Sequence, residues 1–128
     1  MAGGDCYQAA FEALLYDPKI VEGEARNGEP AWLVHGYPRV ALGPLEGRKY
    51  GHAWVQIGEE VYDASTGRWC PRVLYYAVGR IDPEENHLYS REEAREWALM
   101  TEHYGDWMDR PEGVIYWEDL TEEEREAN

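Results

Sequence analysis

The sequence predicts an α+β domain: an opening helix that carries Cys6, packed on a small, largely antiparallel sheet, with a second helix near the carboxyl end. Three observations predict it. Apolar residues recur at three- and four-residue steps behind Cys6, at Tyr7, Ala10, Phe11, Leu14 and Leu15, as one face of a helix requires. Short apolar and aromatic runs then follow one another directly, which favours antiparallel pairing with the helices on one side of the sheet. Finally, Ser90 and Glu93 form a capping-box signature ahead of Ala94, Trp97, Ala98 and Thr101.

The elements are expected in this order. The first helix covers residues 5–16, with Asp5 as N-cap and Pro18 just past its end. Residues 22–30 are polar, contain Gly23 and Gly28, and read as a loop. Residues 31–36 read as a strand, and a second strand start is expected at 39–42, before the turn signals Gly43, Pro44 and Gly47. Residues 52–57 form a strand whose hairpin partner is 61–64. Residues 72–81, with the β-prone run from Val73 to Val78, read as a third strand broken by Asp82 and Pro83. The second helix opens at Ser90 and stops at Gly105, and residues 113–117 supply one more strand. Residues 1–120 make one domain and residues 121–128 an acidic tail.

Composition narrows the function. A chain of 128 residues can bury a core without disulfides or metals. Its net charge of −14 repels phosphate backbones and anionic membranes, so direct nucleic-acid binding is not expected, and a neutral or basic partner is. No apolar run approaches the length of a membrane span. Met1 to Asp5 has neither the basic nor the apolar region of a signal peptide, and Cys6 and Cys70 are fewer cysteines than a disulfide framework normally uses. The expected compartment is the cytoplasm. The histidines at 35, 52, 87 and 103 lack zinc-ligand spacing, so no metal and no cofactor is expected. Ten Tyr and six Trp stand against one Phe, and such polar-tipped aromatics suit both core and cleft walls.

Cys6, His52 and Asp63 are the residues that could carry chemistry. A thiol attacks as thiolate, and the free N–H groups and dipole at a helix start favour an anion there. The same N–H groups could steady an oxyanion. His52 opens a strand and shares a face with Trp54 and Gln56, which suits a base. Asp63 lies eleven positions on and could orient the imidazole. With residues 59–60 as the turn, Gln56 pairs with Asp63. Asp63 then shares the His52 face but sits about 13 Å along the strand, a gap that strong coiling or a bulge must close. Gln56 is an alternative orienter at the same separation, and a three-residue turn would send Asp63 to the other face.

Gly4, Asp5 and Cys6 opening a helix, then Gly51 to Val55, then Val61 to Ser65, together resemble the nucleophile segment, histidine strand and polar-residue strand of papain-like cysteine hydrolases. That superfamily includes NlpC/P60 amidases and transglutaminase-like proteins. The resemblance implies a papain-like fold, with Cys6 as nucleophile, His52 as base and Asp63 as orienting acid. It covers residues 4–16 and 51–65. Cys6 is followed by Tyr7 and Gln8 rather than by the Ser-Gly of NlpC/P60 proteins, and the Trp that usually follows the transglutaminase cysteine is absent. The five residues before Cys6 hold no glutamine to match papain's oxyanion residue, which leaves Gln8. Tyr50, Trp54 and His35 are further substrate-contact candidates, with a structural role favoured for His35. The chain also resembles small proteins of bacteria and their phages.

Cys70 is expected buried and inert, His87 and His103 solvated, and Arg68, Arg72 and Arg80 in surface ion pairs. The leading expectation is a cysteine-dependent peptidase, amidase or deamidase acting on a peptide or amide, through an acyl-enzyme. An amine acceptor in place of water would make it an acyltransferase. The alternative is a non-catalytic acidic binding or inhibitor protein on the same scaffold, docking on a basic protein surface.

Overall fold

The computed structural model describes residues 6–116 and 121–123. The elements run α1 (Cys6–Tyr16), α2 (Pro18–Asn27), β1 (Ala31–Gly36), β2 (His52–Ile57), β3 (Glu60–Asp63), β4 (Arg68–Pro71), α3 (Arg72–Gly79), β5 (His87–Tyr89) and α4 (Arg91–Thr101). The five strands form one antiparallel sheet in the order β4-β3-β2-β1-β5, so the chain is α+β with helices at both ends. Among the described residues no helix is long and apolar enough to cross a membrane.

Side-chain alternation along β2 divides the core. Ala53, Val55 and Ile57 face Ala10, Phe11 and Leu14 of α1, Ile20 of α2 and Ala94 of α4. Trp54 points the other way, into a smaller cluster with Val34, Val61 and Ile81 that Tyr75 and Tyr76 of α3 close. Helices therefore cover both faces, not one side as the run of strands suggested.

Five expected elements differ. Residues 22–30 are mostly helix: Asp17 caps α2 by accepting from the Lys19 N–H at 2.9 Å, Pro18 takes the first helical position, and Gly28 ends it at φ 68°. Pro18 thus starts a helix, where its missing N–H costs nothing. Residues 72–81 form α3, not a strand. Arg72, Tyr75, Tyr76 and Gly79 follow i, i+3, i+4, i+7 spacing, and the local strand is β4 instead. Among the described residues, 39–42 and 113–116 contribute only the isolated bridges Arg39–Lys49 and Tyr50–Ile115, and residue 117 of the expected strand lies outside them. Helix α4 has its Ser90–Glu93 capping box but ends at Thr101, with Glu102 at φ 62°, before Gly105. Asp5 and most of the acidic tail lie outside the described residues.

One polar node joins three helices. Arg91 of α4 donates two hydrogen bonds to Glu24 of α2, at 2.9 and 2.7 Å, and a third to the Leu14 carbonyl of α1 at 3.0 Å. Glu24 also accepts from the Ala31 N–H at 2.8 Å, at the start of β1. A bidentate arginine–carboxylate pair of this kind fixes orientation as well as distance.

Gly23 shows why α2 seats closely. A methyl group at this buried position would come within 2.7 Å of the Trp69 ring and 2.9 Å of Ile57. Gly23→Ala gains about 1 kcal/mol of helix propensity but overpacks that contact. The expected net result in urea denaturation is a loss of about 1–2 kcal/mol; a gain in stability would show that Trp69 yields without cost.

Candidate active site

The hairpin register brings His52 and Asp63 together. Residues 58–59 make the turn, so Ile57 pairs with Glu60, Gln56 with Val61 and Val55 with Tyr62. Continuing one residue sets Asp63 beside Trp54, two residues from His52 rather than four. The turn lies one position earlier than residues 59–60, which shifts the pairing by two and leaves Asp63 on the His52 face. His52 Nε2 and Asp63 Oδ2 are 3.2 Å apart. No bulge is needed.

Cys6 reaches the same ring from the first turn of α1. That turn crosses the start of β2 at Gly51, where a methyl group would come within 2.3 Å of the Tyr7 hydroxyl. Glycine at position 51 leaves the room that the Tyr7 hydroxyl occupies. Cys6 is 7% exposed and lies near enough to the His52 ring for its charge to act on it. Because Nε2 faces Asp63, Nδ1 is the nitrogen left for the thiol.

The electrostatics follow from this order. Burial alone would lower the His52 pKa, but Cys6 and the Asp63 carboxylate beside the ring outweigh it and raise it to about 10. Burial would likewise raise Asp63. Hydrogen bonds from His52, from the Tyr75 hydroxyl at 2.7 Å and from the Ser65 N–H at 2.9 Å, with the charge on His52, bring it down to about 2. Asp63 is thus a fixed anion, and the charged imidazolium form of His52 is favoured.

The other predicted residues separate. Tyr50 is buried and lines a cavity of about 230 Å³ together with His52, Asp63, Tyr75 and Leu74. Trp54 is fully buried and backs His52 with ring centres 6.1 Å apart, so it supports the base from the core instead of lining the cavity. Gln56 accepts from the Tyr76 hydroxyl at 2.5 Å and lines a different pocket, so it is tied to α3 and does not orient His52. Gln8 donates to Glu12 at 3.2 Å on the exposed side of α1. Cys70 is half-buried and lines the His52 cavity, not sealed in the core. Arg72 pairs with Glu59 at 2.8 Å, whereas Arg80 donates to the Val40 carbonyl at 3.2 Å. His87 is half-buried in β5, and exposed His103 accepts from the Gly105 N–H.

His35 is 1% exposed, inside a ring of Tyr7, Tyr89 and Trp107 with ring centres 4.9 to 5.0 Å away. Burial, with the neighbouring His87 charge, pushes its pKa down to about 3, so it stays neutral and structural. Tyr75 was the functional residue that strand-like composition hid; its helical spacing with Arg72, Tyr76 and Gly79 was the available signal. Among the described residues no group of three or more His, Cys, Asp and Glu side chains could hold a metal ion.

Two titrations follow. In Cys6→Ala the largest raising influence on His52 is gone, and its ring pKa is expected to fall by roughly one to two pH units, read by nitrogen NMR of the imidazole. An unchanged ring would show that thiol and base do not communicate. For His35, the unfolded chain binds a proton below about pH 6.5 that the folded chain refuses until about pH 3. Its contribution is therefore fully present above the unfolded pKa and lost as pH falls across that window. His35→Leu is expected to flatten the loss of denaturant stability between those limits; an unaltered slope would place the acid sensitivity elsewhere.

Comparison with known proteins gives no further guide, since no family model, curated protein or solved structure matches the chain.

Proposed function

We propose that the protein is a cysteine-dependent hydrolase of amide bonds, a peptidase, amidase or deamidase, with the papain-like order of nucleophile, base and acid. One observation carries the reading: a single imidazole lies 3.2 Å from a carboxylate and is acted on by a thiol at a helix start. Nucleophile, base and orienter in that sequence are the working parts of covalent acyl transfer.

In the proposed reaction the Cys6 thiolate adds to the substrate carbonyl. The developing oxyanion lies against the first-turn N–H groups of α1, which have no partner four residues back. His52 then gives its proton to the departing nitrogen, the C–N bond breaks, and a thioester to Cys6 remains. Water adds to that thioester as His52 takes its proton, the C–S bond breaks, and acid and thiolate are released. An amine in place of water turns the same steps into transfer. Asp63 stays ionised throughout and holds the ring. The reading takes the chain as cytoplasmic, where thiols remain reduced.

The acid excess favours a second reading, in which the same scaffold binds a basic protein without chemistry. Alkylation separates the two. Iodoacetamide is expected to modify Cys6 at pH 6 at least about tenfold faster than free cysteine, and His52→Ala is expected to remove that advantage while thermal unfolding still shows a cooperative fold. A wild-type rate equal to that of free cysteine across pH 5 to 9, with tight salt-sensitive binding to polylysine that survives Cys6→Ala, would replace the enzyme by the binding protein.

A further inference from the structure

Helix α3 is held to the sheet on one side only. It contains no fully buried residue, and its inward contacts are Tyr75 and Tyr76. Its outer side is apolar: Val73 is 73% exposed, Leu74 53% and Val78 75%. Isolated exposed apolar residues are ordinary, but three on one short helix form a patch of the kind that marks an interaction site.

This patch is continuous with the cavity beside His52 and Asp63, which Cys6 itself does not line. Leu74 and Val78 are exposed and also line the cavity that contains His52 and Asp63. Tyr75, between them in the chain, donates to the same Asp63 oxygen that faces His52. The cavity thus has a polar floor and a largely apolar wall, and that wall is the side of α3.

The charge around the patch runs against that of the whole chain. The chain carries 26 Asp and Glu against 12 Lys and Arg, yet residues 68–81 hold three arginines and no acid. Arg39 lines the cavity as well. Arg39, Arg68 and Arg80 have no carboxylate partner among the described residues, whereas Arg72 pairs with Glu59. Beyond the helix, Asp82 and Glu84 are exposed next to Pro83 and limit the cationic surface on that end. Arg39 and Arg80 donate to the backbone carbonyls of Gly47 and Val40 and meet no carboxylate among the described residues, so in an acidic protein they are suited to carboxylates brought by a partner.

We propose that α3 is the substrate-docking face of the site. It receives a polypeptide segment that combines apolar and acidic side chains, and one apolar side chain enters the cavity beside His52. The inference rests on Cys6, His52 and Asp63 being the reacting group, and it names the substrate class that this group serves. It opposes the expectation drawn from net charge alone, which favours a basic partner. At 0.15 M salt the screening length is about 8 Å, so distant acids are muted while contacts made at the arginines persist.

The test uses two N-acetylated, C-amidated pentapeptides, one alternating leucine with glutamate and the other leucine with lysine, added to the full chain at 0.15 M salt. The glutamate peptide is expected to shift the methyl resonances of Val73, Leu74 and Val78 and to bind at least about tenfold more tightly than the lysine peptide. Val78→Asp and Arg39→Gln, each checked for an unchanged melting transition, are expected to weaken it about tenfold. Tighter binding of the lysine peptide, shifts confined to α1 or α4, or no shift with either peptide at millimolar concentration would overturn the proposal. Docking is read without turnover. A Cys6 that alkylates like free cysteine would therefore remove the reaction and leave the docking face standing, and an activated Cys6 with no docking would do the reverse.

Discussion

The two-residue turn at 58–59 is the constraint on which the site depends. It fixes which β3 residue stands beside Trp54, and so whether a carboxylate meets His52. Had the turn fallen one position later, Asp63 would have stood opposite Gln56, beyond hydrogen-bond reach of the ring. Moving the turn by one position shifts the pairing by two, so Val61 would keep the Trp54 face and Tyr62 the opposite core. Burial fixes which face Asp63 shares, and the turn fixes how near it stands to His52.

The site is buried enough for its charges to matter and paired enough to tolerate burial. His52 and Asp63 expose only 15% and 14% of their side chains. An isolated charge there would be expensive, and each is offset by a neighbour of opposite sign. Asp63 receives three hydrogen bonds, from a ring nitrogen, a phenol and a backbone N–H, each from a different part of the chain. His35, equally titratable in isolation, lies on the opposite face of the sheet with no such neighbour and is held neutral. The two histidines share a sequence type and are set to opposite charge states by what surrounds them.

How much of this the sequence disclosed depends on whether the signal was local. The opening helix, the His52 strand and the Ser90 cap were legible because spacing or capping chemistry spelled them out within a few residues. The turn was legible only to within one position, since Gly58, Glu59 and Glu60 allow more than one two-residue loop. The sequence misled at α3, where Val, Tyr and Leu carry strand propensity and only two tyrosines face inward. Asp17 and Pro18 were a readable start signal for α2, overridden by the two glycines that followed. Tyr75 was hidden for the same reason as its helix, and the cationic surface around it was masked by a whole-chain charge of the other sign.

The Arg91 clasp bears on the chemistry from the far end of α1. It grips the Leu14 carbonyl near the carboxyl end, while the thiol projects from the amino end. From Leu14 to Cys6 the helix runs about 12 Å. Pivoting it by about 5° at the clasp would swing the sulfur by about 1 Å, enough to cost about a hundredfold in the proposed reaction. Aim, under the proposed chemistry, is kept by an arginine bound at the opposite end of the helix from the thiol.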